Sequence, residues 1–166
     1  MTREIDRSPA VLSSALAASA AAISAGASAL TSTIGLGFGA AGFVLVAIGL
    51  ARGWRRAVGL GASGLLVGAL AGGVLTGAPF LLLPGVIAAV LAWDFGEQAI
   101  NVGEQLGRAA DTAQLEATHA AASTVVGAGA GGLGYAIYLG SSGGQPVTAL
   151  VFLLLGAVAL TSALRA

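Results

Sequence analysis

The chain has 166 residues, 57% of them hydrophobic and only 8% charged, and its seven basic residues, all Arg, balance seven acids to a formal net charge of zero. Soluble domains carry roughly a quarter charged residues, so this composition excludes an ordinary water-soluble domain and points to a bilayer, while the balanced charge gives no basic footprint for nucleic acid. The lack of Cys and Lys excludes disulfides, thiolate metal sites, cysteine nucleophiles and Schiff-base chemistry.

Residues 10–30, AVLSSALAASAAAISAGASAL, are uncharged and long enough to cross a bilayer, although Ala and Ser make them only weakly hydrophobic. Ser8 and Pro9 read as the cap and first-turn proline of this helix. Arg3 and Arg7 before a modest apolar run, with small residues at Ala27 to Ala29, also fit a secretory signal peptide. The acids Glu4 and Asp6 among those arginines, and the missing leucine-rich centre, favour a retained helix. A stronger span follows at 34–51, ended by the basic stop RGWRR at 52–56. No charge occurs from Ala57 to Trp93, and GAP at Gly77 to Pro79 divides that run into spans 57–76 and 79–93, a tight hairpin. Pro84 makes Phe80 to Pro84 either irregular or a first helical turn. After a polar stretch at 94–118, residues 120–139 and 147–164 supply two more spans, joined by the turn SSGGQP at Ser141 to Pro146.

Charge placement tests these six crossings without using hydropathy. With the N-terminus inside, residues 1–9, 52–56 and 94–118 and the tail at Arg165 face the cytoplasm, and they hold every Arg and every acid. The outer turns, Thr31 to Thr33, GAP and SSGGQP, hold none, as the positive-inside rule requires. Trp54 and Trp93 fall at the inner interface and Tyr135 and Tyr138 toward the outer one. The expectation is one all-α membrane domain over residues 1–166, multi-pass, with both termini cytoplasmic.

GLGASG at Gly59 to Gly64 and GAGAGG at Gly127 to Gly132 match G-x-G-x-x-G, but that fingerprint needs a strand before it and a helix after it. Helix packing is the better reading: Gly64, Gly68 and Gly72, like Gly35 with Gly39 and Gly127 with Gly131, repeat at four-residue spacing and give smooth faces for close approach. Glu116 and His119 form an E-x-x-H, the spacing of di-iron bundles, yet a complete site needs a second such pair and two more glutamates. A Ser-His-Asp set from His119 with Asp94 or Asp111 lacks any nucleophile elbow. No span holds an ionisable residue of the kind transporters use at mid-membrane. No catalytic residue, metal site or cofactor is therefore expected.

The stretch WDFGEQAINVGEQLGRAADTAQLEATH at 93–119 stands apart. Its polar residues fall at Asp94, Glu97, Gln98, Asn101, Glu104, Gln105, Arg108, Asp111 and Thr112, a stripe of period near 3.5, so the fourth span continues as a helix into the cytoplasm or along the surface. The repeated word GEQ is then a heptad echo that stacks Glu97, Glu104 and Asp111, with Glu104 and Arg108 as an i, i+4 pair. The segment's five acids against one Arg give −5 + 1 = −4, which repels anionic lipid heads and favours a partner-docking face or a solvated connector.

AWDFGEQAINVGEQLGR, with RGWRRAVGLGA before it and HAAAST and GGQPVTALVFLLLGAVAL after it, resembles a family of small, functionally uncharacterised haloarchaeal multi-pass membrane proteins. The resemblance implies a gene context with a MoxR-type AAA+ ATPase and a von Willebrand factor A-like companion, hence a partner in assembly or maturation at the cell membrane. The reading is a non-enzymatic membrane subunit or scaffold that docks a partner through residues 94–111. The alternative is a small channel or transporter formed when glycine-rich helices oligomerise.

Overall fold

The computed structural model describes residues 5–76, 79–140 and 147–163. It is all-helical there: α1 Val11–Ala29, α2 Thr33–Arg52, α3 Arg55–Thr76, α4 Pro79–Leu106, α5 Ala113–Gly140 and α6 Val147–Ala163. Five of them, α1 to α5, are long and apolar enough to cross a membrane, and the apolar α6 is shorter. This is the architecture of a multi-pass membrane protein, with large apolar side chains such as Phe38, Val44, Val125, Leu133 and Phe152 on its outside, a surface suited to hydrocarbon rather than water. Gly77 and Ala78 of the GAP turn, the SSGGQP turn, Arg3, Glu4 and Arg165 lie outside the described residues.

Helices α1 to α4 form the core. α1 packs on α4, α2 on α3, and α1 also touches α2, α3 and α5. That central position explains its composition: Ala17 and Ala21 are fully buried, and the buried hydroxyl of Ser24 donates across to the Gly85 carbonyl of α4 at 2.9 Å. The face of α1 turned to its neighbours needs small side chains for close approach, while Val11, Ser19 and Ile23 on its other face are exposed. Beside it Val46, Val58, Leu65, Phe95 and Ile100 complete one apolar cluster, and Leu82, Val86, Leu150 and Leu154 a second under α6.

The expected glycine faces meet inside the chain. A Cβ at Gly39 would sit 3.2 Å from the Ala25 Cα of α1, and at Gly68 3.1 Å from the Gly35 carbonyl; Gly35 lies against Ser28 and Gly72 against Thr31. Gly64 sits more loosely over Gly42, at 3.4 Å. A reciprocal contact joins a pair that the four-residue spacing passes over: a Cβ at Gly42 would lie 2.6 Å from the Gly61 carbonyl, and one at Gly61 2.7 Å from the Gly42 carbonyl. On α5, Gly131 abuts Ile87 at 2.6 Å, whereas Gly127 has only ordinary contacts at 3.7 Å.

One boundary meets expectation and one differs. α4 is helical from Pro79, the expected start, with Pro84 inside it, so of the two readings of Phe80 to Pro84 the helical one holds. α1 begins after Ala10, which is extended and makes no side-chain cap, so Ser8 and Pro9 do not open the helix. Ser8 instead donates its hydroxyl and N–H to Asp6, and these bonds hold the Asp6 carboxyl below the usual carboxylate range.

Candidate functional site

The described charged side chains gather at one end of the bundle, where the segment before α1, the α2–α3 turn, the end of α4 and the start of α5 come together. Gly53 (φ 66) turns the chain between α2 and α3. The N–H of Trp54 then returns to the Gly49 carbonyl, and Arg52 lies over the Trp54 ring at 5.0 Å.

Arg55, the first residue of α3, reaches across to α4. Its Nη1 donates to Glu97 Oε2 and its Nη2 to Asn101 Oδ1 and Glu104 Oε2, each at 2.7 Å. Those acceptors lie four and three residues apart along one helix face, the spacing that brings side chains into one row. The polar stripe is thus in large part a seam within the chain. Both GEQ words have the same internal use. Each Glu holds Arg55, and each Gly makes room for a neighbour: a Cβ at Gly96 would meet Val58 of α3 at 2.6 Å, and one at Gly103 would meet the Ser8 carbonyl and, at 3.0 Å, the Pro9 Cα.

The chain before α1 is laid into the second of those gaps. Ala10 N–H donates to the Ala99 carbonyl at 2.8 Å, Arg108 N–H to the Asp6 carbonyl at 2.8 Å, Arg108 Nη1 to the Pro9 carbonyl and Arg7 Nη1 to the Glu104 carbonyl, both at 3.3 Å. Gly107 (φ 81) ends α4, a left-handed turn that glycine adopts without the Cβ penalty. The helical stripe therefore stops at Leu106. Asp111 does not stack beneath Glu104, and Arg108 turns back to the N-terminal segment while Glu104 pairs with Arg55.

Glu116 takes a role that its E-x-x-H spacing does not suggest. Its buried carboxylate accepts from the Ser13 N–H of α1 at 2.7 Å and from the Thr112 hydroxyl at 2.7 Å. Ser13 lies in the first turn of α1, where helical N–H groups lack partners and negative charge is favoured, so a residue of α5 caps α1.

His119 points elsewhere, to Asp94: Nε2 to Oδ2 is 2.9 Å, with Ser123 Oγ at 3.5 Å from the same nitrogen. A catalytic triad places acid and serine on opposite nitrogens of the ring, and here both are on one side. Among the described residues no three His, Asp or Glu side chains converge on a metal position. Asp94, expected in the solvated stripe, is only 5% exposed, because α4 is covered by α5 at that level. Of the remaining stripe residues Gln98 is half-buried, and Gln105, Arg108 and Asp111 are exposed.

Sequence reasoning passed over Arg55, Ser13, Gly96 and Gly103. The readable signal was the pairing of Gly and Glu within each GEQ, where the small residue opens a gap beside the charge. Comparison with curated proteins and with solved structures gives no match. A family match covers residues 7–161, nearly the whole helical bundle and its polar end, and the chain belongs to that family, a family of unknown function (DUF7519).

Proposed function

We propose that the chain is a non-enzymatic integral subunit of the cell membrane that crosses the bilayer six times, keeps both termini in the cytoplasm and presents its polar end to a partner protein. The observation that carries this reading is the concentration of the described charge at one end, cross-tied by Arg55, Glu116 and Arg108. Arginine at that end supports a cytoplasmic placement. Because Glu97, Asn101 and Glu104 are held by Arg55, the surface left for a partner narrows to Gln105, Asp111 and the backbone turn between them. The resemblance to haloarchaeal membrane proteins makes a MoxR-type ATPase system the candidate partner. In molar salt the Debye length is ~3 Å, so such docking rests on close packing rather than steering.

Affinity purification from mild-detergent membranes, with mass spectrometry, tests the proposal on the wild type beside a Gln105→Arg/Asp111→Arg variant. A stoichiometric partner that the variant loses, at unchanged Tm, is the expected outcome. A wild type that comes out alone removes the docking role.

A further inference from the structure

The RGWRR turn between α2 and α3 divides its arginines. Arg55 faces inward and is taken up by Glu97, Asn101 and Glu104 of α4. Arg52 and Arg56 are exposed. Among the described residues neither forms an ion pair, the pairs being Arg55 with Glu97 and Glu104, and His119 with Asp94. Arg52 lies over the Trp54 ring at 5.0 Å, a contact that neutralises no charge. Trp54 is itself 55% exposed, so the turn presents two uncompensated cations around an aromatic ring that the core does not bury.

Each of these cations stands at the head of an apolar row on its own helix. The exposed Ile48 and Leu45 precede Arg52 by four and seven residues, and the exposed Leu60 follows Arg56 by four, spacings that share a helix face. At 1.5 Å per residue the apolar surface comes within about 6 Å of each arginine along the axis. That boundary is the headgroup level of a bilayer, where Trp also sits. Two free guanidinium forks select an anion, phosphate above all, and the apolar rows select one that carries hydrocarbon. Trp54 stands immediately before α3, and its side chain is a donor only, so it cannot cap the first-turn N–H groups, which also favour an anion. The acids of 94–118 do not cancel this charge: Glu97 and Glu104 pair with Arg55, Asp94 and Glu116 are buried, and the exposed Asp111 lies on the turn after α4.

We infer that the α2–α3 turn binds the head of an anionic phospholipid, with Arg52 and Arg56 on its phosphate, Trp54 at the level of the glycerol esters and the acyl chains along Ile48 and Leu60. The site rests on α2 and α3 crossing the bilayer, and on neither partner docking nor which side is the cytoplasm. It uses none of Gln105, Arg108 or Asp111.

The chain has two tryptophans, so Trp93→Phe leaves Trp54 as a reporter in the turn, and Trp54→Phe leaves the half-buried Trp93 of α4 as a reporter away from it. The full chain is reconstituted into phosphatidylcholine vesicles with rising fractions of phosphatidylglycerol or phosphatidylcholine brominated early in the acyl chain, because bromine quenches tryptophan only at close range. At low salt Trp54 should show a relative binding constant at least ~5-fold higher for phosphatidylglycerol than for phosphatidylcholine, while Trp93 shows a ratio near one. Arg52→Gln/Arg56→Gln should bring the Trp54 ratio within ~2-fold of one at an unchanged melting temperature; each single substitution repeats the test should the double variant fail to fold. The same preference at Trp54 and Trp93 means a diffuse surface charge and overturns the site. A preference that survives the double variant overturns the role of the arginines. Loss of the preference on adding free glycerol phosphate assigns the turn to a soluble anion and overturns the lipid. Absence of quenching by either lipid at Trp54 removes the turn from the bilayer surface, and with it the membrane placement of α2 and α3 on which the site rests.

Discussion

Arg55 concentrates more of the polar end than any other side chain, with three acceptors on α4. Its guanidinium is 37% exposed, and Glu97 and Glu104 are 28% and 51% exposed, so solvent screens the network and its worth stays modest. Arg55→Ala should lower stability by about 1–2 kcal/mol, the range of a few charge-assisted bonds near a surface. Raising the salt should shrink the difference in Tm between the two proteins, and a difference independent of salt would mean that Arg55 acts through packing. The glycines give a sharper contrast. Gly42→Ala drives a methyl onto the backbone carbonyl of Gly61 and the N–H of Leu65, groups that cannot move without shifting a helix, and should cost about 1–3 kcal/mol. Gly37→Ala, on the same helix with nothing within 4 Å, should be neutral or stabilising by up to about 1 kcal/mol through helix propensity. Equal effects in thermal denaturation would show that the α2–α3 seam is looser than described.

Among the elements, α1 depends on another for its cap. It has no capping side chain of its own, and Glu116 of α5 supplies one. Glu116→Ala leaves the Ser13 N–H unpaired and should cost about 1–2 kcal/mol. Glu116→Gln, which keeps an acceptor oxygen, should recover part of that. Amide exchange in residues 11–14 should rise in the alanine variant, and unchanged protection there would argue against a cap in trans. The apolar helices themselves were legible in the sequence because long uncharged runs have few alternatives: helix α2 at Thr33–Arg52 covers the expected 34–51 with one residue more at each end. The end of α4 was legible in principle, since Gly107 followed by Arg108 is a helix-stop signal, but the unbroken polar stripe masked it. The direction that the stripe faces was not legible. Its period says that Glu97, Asn101 and Glu104 share a face, and is silent on whether water or Arg55 lies opposite, because Arg55 is 42 residues from Glu97. The same limit hid Glu116, whose partner Ser13 lies 103 residues away.

At the scale of the whole molecule, alternating helices bring the two polar turns, 52–55 and 107–112, and the chain before α1 to one end, while the α1–α2 turn at 30–32 lies at the other. In the proposed topology these ends lie on opposite sides of a bilayer, and the assignment of the polar end to the cytoplasm rests on Arg7, Arg52, Arg55, Arg56 and Arg108 sharing it. The natural absence of cysteine makes the assignment testable without a background. Asp111→Cys places a thiol on the exposed turn after α4, and Thr33→Cys places one at the exposed start of α2. Neither side chain makes a contact that the fold depends on, so both variants should keep the wild-type Tm. In intact cells a membrane-impermeant maleimide should label position 33 and spare position 111, which should react only after the cells are opened. The reverse pattern would place the polar end outside and end the case for a cytoplasmic partner. Labelling of both positions in intact cells would mean that the two ends share a side, which an odd number of crossings between residues 33 and 111 forbids: α2, α3 and α4 make three, and one of them would then have to lie along the membrane rather than across it.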